Sequence, residues 1–303
     1  MDSIVDVLVQ NLLPIFIVAA FGYGLQRWTD IDKKSLSSAV LYVFSPCLVF
    51  SSLVSSQLPG GELTKLALFA VLNVALMGIL VFVLSRMMRL SRTETAALMI
   101  VVMFVNGGNY GLTLNQLRYG DAGLSRAVVY YTTSTIITYT IGIFIASMGR
   151  LSPRMTLQRL LRLPPVYAAV LAVLVYTLKI SVPQPLLEGI SVAGGGAIPV
   201  LLVVLGMQMA DLKGNSSLRL AIPAVSLRLV AGPLLGLLIA SMLGLTGLGR
   251  STSIIEASMP TAVFTIILAT EFDLHPTAVT SIVVLTTLLS PITIATVITV
   301  FGL

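Results

Sequence analysis

Charged residues, histidine and cysteine are all scarce in this sequence. Only 10% of the 303 residues are charged, whereas a soluble domain carries about 25%. The single histidine, His275, lies beside Pro276, so neither a two-histidine metal motif nor a serine with a histidine base is present. The single cysteine, Cys47, cannot form an internal disulfide and lacks metal-ligating neighbours. These absences argue against a soluble fold and an enzyme, and they predict no metal and no cofactor.

Long apolar runs fill the chain instead, with 56% hydrophobic residues and a mean hydropathy of +1.00. A helix needs about 20 apolar residues to cross about 30 Å of hydrocarbon, because its backbone polar groups must be satisfied internally. The pattern predicts an all-α membrane protein with ten spans, at residues 4–26, 35–55, 63–88, 95–117, 122–148, 164–180, 184–210, 218–243, 248–272 and 277–301. The N-terminus carries Asp2 and Asp6 but no Lys or Arg, so we expect a retained helix and not a signal peptide.

The basic residues lie mainly in the short connections on one side of these spans. Twelve fall after spans one, three, five and seven, and five fall near the other ends. Because positive charge marks the cytoplasmic side, we predict that both termini lie outside the cell inner (plasma) membrane. The basic loop 149–163 is then cytoplasmic, and the position of these charges argues against nucleic acid as a partner.

Matching residues recur in the two halves at a nearly constant offset. The separations are 153, 153 and 154 positions, between Pro46 and Pro199, Asn106 and Met259, and Thr132-Thr133 and Thr286-Thr287. Each half holds five predicted spans, an odd number, so the second copy enters the membrane from the opposite side. The sequence therefore predicts a 5+5 inverted repeat, with residues 1–148 as the first repeat, 149–163 as a linker and 164–303 as the second.

The fourth and ninth predicted spans carry helix-breaking residues at corresponding positions. Glycines and asparagines interrupt the fourth span over residues 106–111, and Pro260 removes a backbone hydrogen bond from the ninth. Such paired breaks indicate a binding site at the membrane midplane, where half-helix N-termini attract an anion. A glycine-lined helix contact is the alternative. The predicted substrate contacts are Asn106, Gly108, Asn109, Met259, Pro260 and Thr261.

Two ionisable residues lie inside predicted spans, where charge is costly unless it is paired or hydrated. Arg228 would either neutralise a substrate carboxylate or cap a half-helix C-terminus. Glu256 is the coupling-ion candidate, and it would carry a proton or pair with a cation near the interface. Ser45, beside Pro46 in the second span, is a further substrate-contact candidate, with kinked packing as the alternative.

At these residues the chain resembles the auxin efflux carrier family. The resemblance covers nearly the whole chain and rests on four motifs: Asn106-Gly107-Gly108-Asn109-Tyr110-Gly111-Leu112, Tyr119-Gly120, Met259-Pro260 and Thr286-Thr287 followed by Ser290-Pro291. Thr113 stands where the family pattern usually has proline. The long central loop of the plant members is absent.

The resemblance implies a fold similar to bile-acid sodium symporters, in which spans four and nine cross at their broken centres. Spans one, two, six and seven would form a scaffold that also dimerises, and spans three to five and eight to ten a moving transport domain. The substrate asparagine of the family maps onto Asn106. The expected function is secondary transport of an organic anion, such as malonate, malate or an indole acid, by an elevator mechanism.

Three other functions are compatible with the same fold. They are a sodium-coupled symporter of the bile-acid type, a channel and a receptor. Amides at the crossing with only one nearby acid, Glu256, favour a carrier without a dedicated sodium site. The expected partners are a small organic anion, membrane lipid and a second copy of the chain.

Overall fold

The computed structural model describes residues 3–55, 58, 60–147, 164–210 and 218–303, and every regular element within these ranges is a helix. The predicted linker 149–163 lies outside them. The helices are α1 (Ile4–Trp28), α2 (Lys33–Val54), α3 (Gly60–Met87), α4 (Arg92–Met103), α5 (Gly107–Ala146), α6 (Pro164–Thr177), α7 (Gln184–Ala210), α8 (Arg219–Met242), α9 (Gly247–Ala257), α10 (Phe264–Phe272) and α11 (Pro276–Phe301).

Seven helices in the described part of the chain are long and apolar enough to cross a membrane: α1, α2, α3, α5, α7, α8 and α11. The all-α, multi-pass membrane class predicted from hydropathy is therefore confirmed. Helix α6 is apolar but has only 14 residues. Helices α4, α9 and α10 are shorter still, with 12, 11 and 9 residues.

The short helices arise where the chain contains glycine and proline. Helix α4 ends at Met103 before the glycine-rich motif, and α9 ends at Ala257 shortly before Pro260. Helix α5 is bent at Gly120, which has φ 63° and ψ −155°. A side chain would be strained there, so glycine permits two helical arms to meet at this residue.

Polar side chains cap the N-terminal ends of α2 and α4. Ser91 accepts from the N–H of Glu94, and the Glu94 carboxylate accepts from the N–H of Ser91 at 2.8 Å, which forms a capping box at the start of α4. These hydrogen bonds, the backbone one first, hold the pKa of Glu94 below its usual value. The Asp32 carboxylate caps α2 by accepting from the N–H groups of Lys34 and Ser35.

Helix α7 packs against α1 and α2, and α6 packs against α2. Gly22 of α1 lies against the Val203 backbone of α7, and Gly206 of α7 lies against the Ala19 backbone of α1. A Cβ at either glycine would collide with a carbonyl group of the other helix. Small residues therefore bring the two backbones together, as is usual for helices packed within a membrane.

Candidate functional site

The unwound segments 104–106 and 258–263 lie side by side, and we call this place the crossing. The N–H of Asn106 donates to the carbonyl of Pro260 at 2.8 Å, and the N–H of Ala262 donates to the carbonyl of Phe104 at 3.0 Å. Between these bonds, one residue from each segment pairs in an antiparallel β-bridge. Backbone groups that leave a helix inside a membrane need such partners, so each break satisfies the other.

Arg228 lies where two half-helices end. Its side chain is fully buried, and it donates from Nη1 to the Val102 carbonyl at 2.7 Å and from Nη2 to the Ala257 carbonyl. Thr261 adds a bond from its hydroxyl to the Val101 carbonyl at 2.8 Å. The last carbonyls of a helix lack intrahelical donors and carry about half a negative charge. One guanidinium therefore balances the C-terminal ends of α4 and α9 together.

Helices α5 and α10 both begin at the crossing. In α5 the first helical donor is Tyr110, whose N–H reaches the Asn106 carbonyl at 3.3 Å, so the amides of residues 107–109 precede the hydrogen-bonded turns. The Asn106 amide is buried, with 5% of the residue exposed, and its Nδ2 has no partner among the described residues. An unpaired buried donor thus lies beside a positive helix end.

The structure brings most of the predicted substrate contacts to this place. Asn106, Met259, Pro260 and Thr261 belong to the two unwound segments and are buried, whereas Gly108 and Asn109 start α5 and are partly exposed. The hydroxyl of Thr261 already bonds a carbonyl, and the charged Nη groups of Arg228 are bonded to carbonyls. Of the two roles considered for Arg228, capping is the one for which the geometry supplies partners.

Tyr131 connects Ser45 with the crossing, and sequence reasoning missed it. A Cβ on Gly108 would lie 2.8 Å from the Tyr131 ring, so glycine makes room for this ring at the start of α5. The tyrosine hydroxyl lies close to the side chains of Ser45 and Thr135. Ser45 itself is buried on α2, next to a π-helical turn at Val40–Phe44. A tyrosine inside an apolar span gives little signal in a single sequence, because it is equally suited to packing.

Glu256 lies on the other side of the α5 N-terminus and is fully buried. Its Oε1 accepts from Asn115 Nδ2 at 3.1 Å, and the same amide also donates to the Gly111 carbonyl at 3.0 Å. Glu256 Oε2 and Asn115 Oδ1 have no partner among the described residues. Asn115 was also missed, although an asparagine inside an apolar span was the available signal.

A cavity of about 470 Å³ lies away from the crossing, at the start of α9. Its lining includes Glu62, Lys65 and Arg126 and the connection between α8 and α9. Glu62 and Arg126 form an ion pair at 2.6 Å there, and Lys65 donates to the Gly244 carbonyl at 3.2 Å. None of the predicted substrate contacts lines this cavity.

Comparisons with known proteins agree with the resemblance seen at the crossing motifs. A family model described as membrane transport protein matches residues 7–152 and 146–298. An uncharacterized transporter of Methanothermobacter thermautotrophicus is 26% identical over 287 residues, which cover 93% of this chain and 94% of the relative. An uncharacterized transporter of Methanocaldococcus jannaschii is 23% identical over 296 residues, covering 94% and 96%. The chain therefore belongs to the auxin efflux carrier-like family of membrane transport proteins.

Proposed function

We propose that this membrane transport protein is a secondary transporter that carries an organic anion, with the anion bound at the crossing. The observation that carries the proposal is Asn106 Nδ2, a buried donor that has no partner among the described residues and lies beside the N-terminal end of α5. Asn109 and Gly108 extend the site on the α5 side, and the Met259-Pro260-Thr261 segment forms the opposite wall. Malonate, malate and indole acids are the substrate types expected from the resemblance.

The charge distribution at the crossing favours an anion. Arg228 and the C-terminal ends of α4 and α9 contribute about +1 and −1, so they offset each other. At the N-terminal end of α5 the neighbouring acidic side chain is Glu256, and when its carboxyl group is protonated the ends of α5 and α10 keep their partial positive charge. About half a positive charge at each helix end stabilises a bound substrate carboxylate without the cost of burying a fixed cation.

The architecture that we propose has ten spans in a 5+5 inverted repeat. Helix α4 and the first arm of α5 make the fourth span, the second arm makes the fifth, and α9 and α10 make the ninth. Helices α1, α2, α6 and α7 would be the scaffold and the dimer contact. The remaining helices would move as an elevator in the inner membrane, with both termini outside. Ser45 and Tyr131 would then lie between the two parts.

A solute-counterflow experiment tests the proposal. A thermal-shift screen of purified protein with mono- and dicarboxylates and indole acids first selects a ligand. Proteoliposomes preloaded with that ligand should then accumulate labelled ligand transiently, because a carrier exchanges bound substrate across the membrane. A channel would equilibrate the label without overshoot, and a receptor would bind it without flux. An overshoot that requires external sodium would indicate a bile-acid-type symporter.

A further inference from the structure

We propose that Glu256 binds the proton that accompanies the anion, an inference that rests on the proposed function. In the carrier without substrate, Glu256 is ionised, and its negative charge balances the partial positive charge at the N-terminal end of α5. When a substrate anion binds at this helix end, Glu256 accepts a proton from water on the side of the membrane to which the site is open. Release of the anion on the other side returns the proton to the water there. Each bound monoanion therefore brings one proton and crosses as a neutral pair.

The hydrogen bonds of Glu256 are compatible with both the ionised and the protonated form of its carboxyl group. Asn115 supplies one N–H to Oε1, while Oε2 has no donor and no acceptor among the described residues. A permanently charged carboxylate in a fully buried position is normally bonded at both oxygens. Asn115 Oδ1 has no partner among the described residues and belongs to the same amide that donates to Oε1. This amide therefore has a donor for the ionised carboxylate and an acceptor for the protonated carboxyl group.

The position of the carboxyl group makes its charge compete with a substrate anion. A Cβ on Gly107 would lie 2.7 Å from Glu256 Oε2, and one on Gly111 would meet both carboxyl oxygens. Gly107 and Gly111 lie one turn apart at the start of α5, so the carboxyl rests on the first turn of this helix. Two negative charges at one buried helix end disfavour each other, and protonation of the carboxyl group removes this repulsion.

The surrounding elements supply few other charges. On α5, Tyr130 interacts electrostatically with Glu256 and its hydroxyl donates to Asn73 at 3.1 Å, and Tyr110 is buried in the first turn. On α9 itself, Arg250 lies near the other end of the helix. On α8, Arg228 is bonded to the carbonyls of Val102 and Ala257. Helix α11 contains no titratable residue. Helix α3 has Glu62, Lys65 and Arg86 near its ends only, and Glu62 is paired with Arg126.

Helix dipoles therefore dominate the field at Glu256. Its own helix, α9, ends one residue later and presents its negative end to the carboxylate, whereas α5 presents its positive end. These effects oppose each other, so a further negative charge at the α5 end shifts the balance toward the neutral acid. By linkage, the anion then binds more tightly as the pH falls, by about tenfold per pH unit where one proton is taken up.

The test is the pH dependence of anion binding by the full-length protein. Affinities for indole-3-acetate, a monoanion, and for malonate, a dianion that keeps one negative charge after uptake of one proton, are measured by calorimetry in lipid nanodiscs at pH values where each probe is fully ionised. Buffers of different ionisation enthalpy give the number of protons taken up, which we expect to be close to one. In Glu256→Gln the affinity should persist without pH dependence. Glu188→Gln, which changes an exposed carboxylate, should behave like the parent.

A ligand-free readout separates this inference from the proposed function. Infrared titration of the empty protein should show carboxylic-acid absorption that grows as the pH falls, and the difference between the parent and Glu256→Gln should isolate the band of the Glu256 carboxyl group. If the band titrates but neither probe binds, the anion site is wrong and the proton site stands. If the probes bind in a way that needs Asn106 but takes up no proton, Glu256 is not the coupling group. Affinity that follows sodium instead of pH, and loses this dependence in Glu256→Gln, would overturn the proton proposal in favour of a cation site.

Discussion

Arg228 Nη1 donates to the Val102 carbonyl at 2.7 Å, which holds a fixed positive charge from α8 at the C-terminal end of α4. Nη2 of the same side chain reaches the Ala257 carbonyl at the end of α9. The two half-helices are thus held by one residue that belongs to neither. Because both Nη groups donate to helix-end carbonyls, the geometry favours a structural role for Arg228 over a role as the counter-charge of the substrate.

Removing the guanidinium should destabilise the fold before it affects ligand recognition. Arg228→Gln leaves two buried carbonyls without charged donors, each worth about 1.5–3 kcal/mol. We expect a clear fall of the melting temperature of the empty protein in detergent, and a smaller fall for Arg228→Lys. The control is Arg219→Gln, because Arg219 is an exposed residue whose distance of 3.7 Å to Glu94 marks a weak ion pair. A stable Arg228→Gln variant that no longer binds anions would instead identify a direct counter-charge.

The contact between Gly111 and Glu256 should be visible as a non-additive pair of substitutions. Gly111→Ala places a methyl group against the carboxyl group and should cost about 1–3 kcal/mol of unfolding free energy. The same change in a Glu256→Ala background should cost much less, because the obstacle is gone. Gly195→Ala is the matched control: a Cβ at this position would have no neighbouring atom within 4 Å, so the change should be neutral or slightly stabilising. Equal costs in both backgrounds would contradict the contact.

Membrane topology can be measured by labelling single cysteines in a Cys47→Ser background. The predicted orientation places the 149–163 loop in the cytoplasm and the N-terminus outside. An impermeant reagent added to intact cells should therefore label Ser3→Cys but not Thr156→Cys, and it should reach Thr156→Cys only after the cells are opened. Labelling of Thr156→Cys in intact cells would reverse the topology.

The assembly state follows from the proposed scaffold. If α1, α2, α6 and α7 form both the scaffold and the dimer contact, native mass spectrometry of the detergent-purified protein should give twice the 32.2 kDa chain mass. A particle of one chain that still transports the screened anion after reconstitution would exclude dimerisation as a requirement for transport.

Much of the fold can be predicted from the sequence because the membrane imposes simple rules. Hydropathy locates the apolar helices, and Pro260 and the glycine-rich motif mark the places where α9 and α4 end. Helix length alone does not count the spans, since Gly120 bends α5 within a continuous run of 40 residues. The glycine is visible in the sequence, but its positive φ is not.

The partners of buried polar groups were much harder to predict. Arg228 and Glu256 stood out as charges within spans, and capping of a helix end was one of two roles expected for Arg228. Nothing local indicates that Arg228 bonds two helix ends at once or that Glu256 bonds Asn115. These contacts join residues 29 to 141 positions apart, and they depend on how the helices cross. Tyr131 remained hidden for the same reason, because its neighbours Gly108 and Ser45 come from separate helices.

The most direct test of the anion site at the crossing is the affinity of the screened ligand for Asn106→Ala and Asn109→Ala, measured by calorimetry alongside melting temperature and expression. Loss of one buried hydrogen bond to a charged ligand should cost about 1.5–3 kcal/mol, which is roughly a ten- to hundred-fold weaker affinity for Asn106→Ala. The variant should remain folded, and Asn11→Ala, which changes a buried asparagine bonded to Arg118, should bind like the parent. Parental affinity and transport in both Asn106→Ala and Asn109→Ala would contradict the site.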